Sequence, residues 1–562
     1  MSYDLRVAPW IPFRRRSGGV EWLPPDAVAA IHHNDPIVAL GWPRPDFNGA
    51  TLEFLIGLFS VALAVRSEAA WADLAACPPA PDALRAALMA LPDAFRLDGD
   101  GPRFLQDHAA ADFDKQAELP IENLLIDAAG ENTQKLNKDL FVKRGRIAAM
   151  GRAAAAAALL TLQSYAPSGG QGHRTSLRGG GPLTTLVDPR ADGGGADAGL
   201  EAPLWALIHA NLLLADSTSS LPADWNSDEG RATAARIWPW LAPTQVSRDK
   251  GSEVTPQRAH PFQALFGMPR RIRLVFRDGE GVCGLTGQTD AVMVPAWRTL
   301  NFGVNYGSGL WIHPLSPHYR SKELWLPIHP QPDGLGWKDW AGLVMARDGR
   351  VAACVQRYRD DHADFLGGGG RFAVRAFGYD MDNMKARGWV EAVLPAWPAG
   401  GMGPDVAGSI TLAAEQMADA ARIAANLLVG AVQAVQFRRR EDARGDFSHL
   451  KAALWSATSE PFYRRIDAAA RLKIDDPLFI VDAGPVDRVR FVDELGRETL
   501  RVFDFHADQC TLDVADAHRQ VAARQGLVRA FRGQGKAGAA LFNALGMPVP
   551  AKPARKSKES KA

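Results

Sequence analysis

The sequence contains few cysteines and none of the spacings that cysteine-based zinc sites use. Its four cysteines, Cys77, Cys283, Cys354 and Cys510, lie far apart, and no two of them form a C-x-x-C pair. A zinc site built from cysteines alone normally needs such closely spaced pairs. We therefore expect reduced thiols, as is usual in a cytosolic protein.

The sequence also lacks a secretion signal and a long hydrophobic segment. The N-terminus "MSYDLRVAPW" has no basic-then-apolar signal pattern. The longest apolar run, residues 52–65, contains Glu53 and is shorter than the ~20 residues that a bilayer span needs. We expect this run to form a buried helix, and we expect a cytoplasmic chain with no membrane partner.

Neither sign of charge is in excess, since 64 lysines and arginines face 63 aspartates and glutamates, for a net charge of +1. Any nucleic-acid role must therefore rest on local basic patches. A composition of 47% hydrophobic and 23% charged residues is that of a soluble globular protein. A length of 562 residues predicts several domains, at about 100–200 residues each.

Sequence motifs of catalysis are missing as well. There is no G-x-S-x-G elbow and no H-E-x-x-H, and the segment "GGQGHRTS" lacks the lysine of a phosphate-binding loop. One polar cluster could bind a metal, but it is more typical of a solvated turn. Its members are Asp360, Asp361, His362 and Asp364. We expect no enzyme activity and no cofactor, with a metal-dependent nuclease as the alternative.

The chain changes character near residue 400. Residues 265–400 carry strand-like segments broken by glycine and proline, which favours a mixed α/β region across residues 1–400. A linker-like "PAWPAGGMGPDVAG" follows, and residues 405–545 show helical spacing of alanines and aliphatic residues. This pattern predicts a helical bundle. The polar, basic tail 550–562 is expected to be disordered.

One segment is strongly basic. Six basic residues between positions 135 and 152 face a single acidic one, Asp139. The basic residues are Lys135, Lys138, Lys143, Arg144, Arg146 and Arg152, and the amides and the aromatic residue among or beside them are Asn132, Gln134, Asn137 and Phe141. Such a mixture suits phosphate contacts combined with base stacking, and a solvated helix face is the alternative.

Three further segments offer features that suit nucleic acid. The stretch "GGQGHRTSLRGG" would let a duplex approach bare backbone, with Arg174 and Arg178 nearby, although a plain flexible loop is more common. Arg320 and Lys322 follow a proline-rich turn in residues 305–325. In a third segment, "FGYDMDNMKARGW", the amide Asn383 stands beside an apolar methionine and a lysine.

These fragments, in this order, resemble the large subunit (CasA family) of Cascade, the type I-E CRISPR surveillance complex. The resemblance covers nearly the whole chain collinearly. The matching stretches are "DLRVAPWIPFRRRSGGVEWL", "PRFLQD", "DLFVKRG", "TSLRGGGPLTTLV", "GLWIHPLSPHYR", "FGYDMDNMKA" and "EPFYRRID".

The resemblance implies an α+β fold, with a large mixed α/β N-terminal domain followed by a C-terminal four-helix bundle. It implies a non-catalytic subunit that recognises the protospacer-adjacent motif (PAM) of duplex DNA from the minor groove. The subunit would open the duplex to start R-loop formation and help to recruit a helicase-nuclease. Its partners would be the other Cascade subunits, the guide RNA and the double-stranded target. A purely structural scaffold subunit is a further alternative.

The resemblance also implies site residues. Asn383 matches the family's PAM-contacting asparagine, and Met384, followed by Lys385, matches the residue of its wedge. An amide can meet both the acceptors and the guanine amino group of the minor groove. An apolar side chain pushed between base steps unstacks them.

The other implied DNA contacts are a glycine loop and scattered basic residues. The glycine loop corresponds to Gly170, Gln171 and Gly172, where Gln171 replaces a family glycine. Arg174 follows this loop, Arg298 is the nearest basic candidate for a PAM-contacting lysine, and Arg320 and Lys322 correspond to lysines after the turn.

The family's basic loop, which lies on the guide's 5′ end and DNA, corresponds to part of the basic segment. Its residues here are Asn132, Lys135, Asn137, Lys138, Phe141, Lys143 and Arg144. Some members carry a cysteine cluster near "GVCGLTGQ", of which only Cys283 remains here, so we expect no zinc.

Overall fold

The structure is a computed structural model, and it divides into two compact units. The first unit comprises Met1–Gln331 and Asp348–Pro398, and the second comprises Pro332–Arg347 and Ala399–Ala562. The structure describes residues 2–31, 34–136, 139, 144–167, 169–170, 172–191, 202–346, 348–362, 372–382, 385–397, 404–439, 442–471, 487–508 and 514–551. The tail predicted to be disordered lies almost wholly outside these residues.

The first unit contains short strands and two separate hairpins with long strands. The strands are β1 Ile11–Arg15, β2 Val20–Leu23, β3 Ile37–Leu40, β4 Leu119–Pro120, β5 Met150–Gly151, β6 Thr184–Asp188, β7 Arg271–Val282, β8 Thr289–Leu300, β9 His318–Ser321, β10 Leu324–Pro327, β11 Phe372–Asp382 and β12 Lys385–Ala396. Within the described residues they form sheets of order β2-β1-β3, β10-β9 and β12-β11-β6, and a fourth in which β8 pairs with β4, β5 and β7. Every pairing between these strands is antiparallel.

α-Helices also occur before residue 400. They are α1 Pro45–Leu63, α2 Glu68–Ala76, α3 Pro81–Ala90, α4 Glu131–Lys135, α5 Arg152–Tyr165, α6 Leu204–Ala210, α7 Asp228–Ile237, α8 Trp340–Leu343 and α9 Ala353–Arg357, of which α8 belongs to the second unit. Helix α1 approaches the β11–β12 hairpin closely, because a Cβ on Gly49 would lie 2.9 Å from ring atoms of Phe377 and Trp389.

The apolar run 52–65 falls largely in α1, and the expectation of a buried helix is confirmed. Among the described residues, two helical segments are long and apolar enough to cross a membrane by length and composition, Pro45–Leu63 and Val406–Gln436. The protein interior buries 78% of the apolar window of the first and 50% of that of the second. Core helices of globular proteins pass the same test, so neither segment argues for a membrane span.

A buried ion pair connects α1 to the segment that precedes β6. Arg178 donates from Nη2 to Glu53 at 2.7 Å, and the two side chains are only 4% and 7% exposed. Thr184 donates to the same carboxylate at 2.6 Å, and the Tyr165 hydroxyl donates to it as well. Arg178 also donates to Ser316 at 3.1 Å. Burial and the charge of Glu53 raise the pKa of the Tyr165 phenol, so it remains a donor.

The second unit is helical, and the expected α+β fold with a C-terminal helical region is confirmed. Its long helices are α10 Pro404–Gln436, α11 Ser448–Arg471, α12 Arg488–Asp508 and α13 Val514–Phe531, followed by the shorter α14 Gly535–Ala544. Residues 332–347 pack into this unit although they precede position 400. Trp337 stacks on Phe462 at 4.7 Å and donates to the Trp455 carbonyl at 3.0 Å.

The cysteines of the described residues are free thiols. Cys77 is exposed, and Cys283 and Cys354 are buried. Burial raises the pKa of the Cys354 thiol to about 12, which makes it unreactive at neutral pH. Cys510 lies outside the described residues.

We expect Arg178→Met to destabilise the first unit by about 3–5 kcal/mol, because it leaves the Glu53 carboxylate buried without its cation. Combining it with Glu53→Gln removes the uncompensated charge and is expected to recover part of the loss. Urea unfolding followed by tryptophan fluorescence measures both free energies of unfolding.

The matched control is Arg96→Met, which removes an arginine that is 42% exposed and paired with Asp93 at 2.7 Å. Exposed pairs contribute about 0–1 kcal/mol, so this variant is expected to stay close to wild type. Equal losses in Arg178→Met and Arg96→Met would contradict the importance given to the buried pair.

Candidate nucleic-acid interface

The β11–β12 hairpin carries the residues that the sequence assigns to the PAM contact and the wedge. Its strands are paired up to Asp382 and Lys385, and Lys385 is exposed. Asn383 and Met384 stand between these two residues in sequence and lie outside the described residues. Across the strands, Arg387 donates to the Asp380 carboxylate in a two-pronged pair at 2.9 and 2.6 Å. The paired part of the hairpin, called the stem below, is therefore cross-linked by charge.

Gly181 is the point where this stem meets two other segments. Its φ is +64°, and a Cβ there would lie 2.7 Å from the Tyr379 carbonyl oxygen and would overlap Met381. His329, just after β10, donates from Nδ1 to the Gly181 carbonyl at 3.1 Å. Burial lowers the pKa of His329 and so favours the neutral ring, and the bond to the Gly181 carbonyl requires the ring proton on Nδ1. Only glycine allows so close an approach in this conformation.

The glycine loop precedes Gly181 in sequence, and one of its two described glycines is held against the rest of the protein. Gly170 and Gly172 have φ values of +92° and +78°, and Gln171 between them lies outside the described residues. A Cβ on Gly172 would lie 2.6 Å from the Phe302 amide nitrogen, whereas one on Gly170 would meet nothing within 4 Å. The loop therefore rests on residues 301–303 through Gly172 and leaves Gly170 open to an approaching ligand.

Arg174 anchors this loop. It donates from Nε to the Ser247 hydroxyl at 2.8 Å and from Nη2 to the Ser247 carbonyl at 3.1 Å. The next residue, Arg248, is exposed and lies over the Phe302 ring at 5.2 Å. Sequence reasoning missed Arg248, since its only signal was a charge that many surface arginines share.

A cavity of about 350 Å³ separates the glycine loop from the β9–β10 hairpin. Tyr319 of β9 and Leu326 of β10 line it together with the loop and with His329. Arg320 and Lys322 of the hairpin are both exposed. The structure thus brings together the glycine loop, the β9–β10 hairpin and the stem of the β11–β12 hairpin.

Arg298 is placed differently. It lies on β8 and pairs with Glu118 at 3.1 Å, and it donates to the Phe113 carbonyl at 3.3 Å. The described residues that line the glycine-loop cavity do not include it. A DNA contact from Arg298 would require this guanidinium to leave its carboxylate.

The basic segment is described only in part. Lys135 is exposed at the end of α4, and Arg144 pairs with Asp139 at 2.8 Å. Asn132 lies in α4, but its side chain is outside what the structure describes. Asn137, Lys138, Phe141 and Lys143 also lie outside the described residues.

A chain of hydrogen bonds connects Asp127, which precedes the basic segment, to strand β11. Arg44 and Arg144 line a second cavity of about 350 Å³ beside the segment. Arg44 donates to Asp127 at 2.8 Å and to Asp46 at 2.9 Å, and the Tyr379 hydroxyl donates to Asp46 at 2.6 Å. Burial and the charge of Asp46 raise the pKa of Tyr379, so the phenol keeps its proton.

The acidic cluster near residue 360 does not converge on one point. Asp360 pairs with Arg359 at 2.6 Å, and the buried His362 ring stacks on Trp71 at 3.7 Å. Asp364 lies outside the described residues. Within the part of the chain that the structure describes, no group of three histidine, cysteine, aspartate or glutamate residues could hold a metal ion.

Solved structures share this fold over almost the entire chain. CasA from Thermus thermophilus has a TM-score of 0.64 at 18% identity and covers 94% of this chain and 99% of its own. Cse1 from Acidimicrobium ferrooxidans has a TM-score of 0.60 at 16% identity, covering 98% and 99%. A chain of a CRISPR RNA-guided surveillance complex has a TM-score of 0.62 at 17% identity, covering 94% and 99%.

Identities this low establish only the fold, and the family assignment comes from the sequence. A family model described as CRISPR-associated protein Cse1 matches residues 4–483, which is most of the chain and includes all three elements of the interface. The chain belongs to the Cse1 family of CRISPR-associated proteins.

Proposed function

We propose that this chain is the large, non-catalytic subunit of a CRISPR RNA-guided surveillance complex. Membership of the Cse1 family supports this, as do matches to chains of two such complexes, one of them in a pre-nicking state at a TM-score of 0.56. The other subunits and the guide RNA are then its permanent partners. The target duplex is its ligand, and a helicase-nuclease joins after R-loop formation.

The observation that carries the proposal is the paired stem that ends at Asp382 and Lys385, the residues on either side of Asn383 and Met384 in sequence. A wedge must resist the cost of unstacking, which is a few kcal/mol per base step. The Arg387–Asp380 pair and the close contact of Met381 with Gly181 supply that resistance. Asn383 then reads the PAM from the minor groove, and Met384 enters the stack beside it.

Exchange of the DNA duplex for a guide–target heteroduplex is close to balanced in free energy. A small local distortion is therefore enough to decide whether the exchange starts. The chain that follows the glycine loop contacts the stem at Gly181, and the open position at Gly170 allows the floor of the groove to approach the backbone. PAM reading and duplex opening then occur at one place.

Phosphate contacts come from the exposed basic residues around this place. Lys385, Arg320 and Lys322 are exposed on the two hairpins, and Lys135 lies on the basic segment. Phosphate contacts fix position without reading sequence. Arg174 and Arg144 already bond to residues of this chain. Their main role is therefore to shape the loops, and contact with DNA or the guide's 5′ end is secondary.

We expect Met384→Ala to slow R-loop formation by about tenfold or more while PAM binding changes little, because the variant loses the group that offsets unstacking. Stopped-flow fluorescence of the guide-loaded complex on closed duplex measures opening, and a duplex with a pre-melted bubble next to the PAM measures binding alone. The control is Met89→Ala, which removes an exposed methionine of α3. Equal losses on closed and pre-melted DNA would contradict the wedge.

We expect Gly181→Ala to impair opening by displacing the hairpin stem, since the new Cβ meets Met381 and the Tyr379 carbonyl. The matched control is Gly251→Ala, at a φ of +79° with nothing within 4 Å. Both variants carry a backbone cost of roughly 1–2 kcal/mol. Only Gly181→Ala is expected to slow R-loop formation in the same stopped-flow assay. Slowing in both, or in neither, would show that the stem does not position the wedge.

A further inference from the structure

A third cavity, of about 430 Å³, lies away from the glycine loop and the basic segment. Strand β3 borders it on one side and strand β12 on another, and helices α1 and α6 contribute apolar side chains such as Leu52, Leu204 and Leu207. Ligand cavities of this size are commonly apolar with a few polar groups that fix orientation. Every residue of its lining belongs to the first unit.

Two arginines of this lining have unused donors. The side chain of Arg14, on β1, makes no hydrogen bond and no ion pair among the described residues. Arg375 of β11 donates from Nε to Asp188 at 2.6 Å, and within the described structure its two terminal nitrogens make no hydrogen bond. Guanidinium groups in structured sites normally pair with carboxylates or phosphates.

The remaining charges do not neutralise these two donors. Arg190 is saturated by Asp188 and by the Val38 carbonyl at 2.7 Å. Burial alone would raise the pKa of Asp188, but Arg190 and Arg375 lower it to about 2, so this carboxylate is already ionised and engaged. Glu391 accepts from the Trp389 indole at 2.6 Å. The cavity retains a positive charge for an anion.

The strands that border the cavity are both edge strands. Among the described strands, β3 pairs only with β1, and β12 pairs only with β11. Residues Val38–Leu40 of β3 and Glu391–Val393 of β12 line the cavity. Edge strands expose N–H and C=O groups that an extended peptide can pair with. A small free anion would leave these backbone groups without use.

We propose that this cavity binds an extended acidic segment of a protein partner. A carboxylate of the segment pairs with the free nitrogens of Arg14 and Arg375. Its backbone adds to the edge of β12 or β3, and a neighbouring aliphatic side chain rests against Leu52 and Leu204. Charge complementarity and the two edges select this occupant over DNA, which has no strand to add. The inference does not depend on the DNA-reading role.

The test is selection of a random heptapeptide display library on the full chain. The tightest peptide is then resynthesised with a fluorophore, together with a version in which its acidic residues are changed to the corresponding amides. Fluorescence anisotropy measures binding to wild type, to Arg14→Gln and to Arg258→Gln. Arg258 is an exposed arginine of the same unit that does not line the cavity.

We expect the selected peptides to combine an acidic residue with aliphatic neighbours. Binding is expected to weaken about tenfold or more in Arg14→Gln and in the amide version, and to be unchanged in Arg258→Gln. Hydrogen exchange at residues 38–40 or 391–393 is expected to slow when the peptide binds.

Three outcomes would overturn the proposal. The first is a library that yields no binder. The second is a set of binders without carboxylates, or binders that bind Arg14→Gln as tightly as wild type. The third is displacement of the peptide by adenosine monophosphate at equal concentration, which would identify a site for a small phosphate ligand.

Discussion

The buried pair between Glu53 and Arg178 holds the first unit in the form that the interface needs. It joins the longest apolar helix of that unit to the segment running from the glycine loop to β6, and Thr184 and Ser316 complete its hydrogen bonds. A charge pair this deep is stable only with every donor and acceptor satisfied. Gly181, three residues beyond Arg178, contacts Met381 and accepts a hydrogen bond from His329. The Glu53–Arg178 pair therefore fixes the point where the β9–β10 and β11–β12 hairpins converge.

This arrangement gives the basic residues of the interface two different uses, internal contacts for some and surface exposure for others. Arg174 and Arg178 are used inside the protein, where they set the course of the loop. Arg320 and Lys385, on the two hairpins, remain exposed. A net charge near zero is therefore compatible with the proposed action on DNA, because these two cations are exposed at the surface.

The mixed α/β region, the helical C-terminal part and the buried first apolar helix could all be predicted, because alternation, helical spacing and run length are local signals. The pairing states of the arginines could not. Arg298 and Arg174 look like free basic residues in the sequence, yet their partners, Glu118 and Ser247, are more than seventy positions away. The role of Gly181 was equally hidden, since it depends on a contact with β11.

The central claim is that this chain reads the PAM through Asn383. It is tested most directly by a gel-shift of the guide-loaded complex, with and without the chain, on duplexes that carry randomised PAM triplets. The account predicts triplet-dependent binding that requires the chain and is lost in Asn383→Ala. Binding that is equally strong for all triplets, or unchanged in Asn383→Ala, would contradict it and place the reader of the motif elsewhere in the complex.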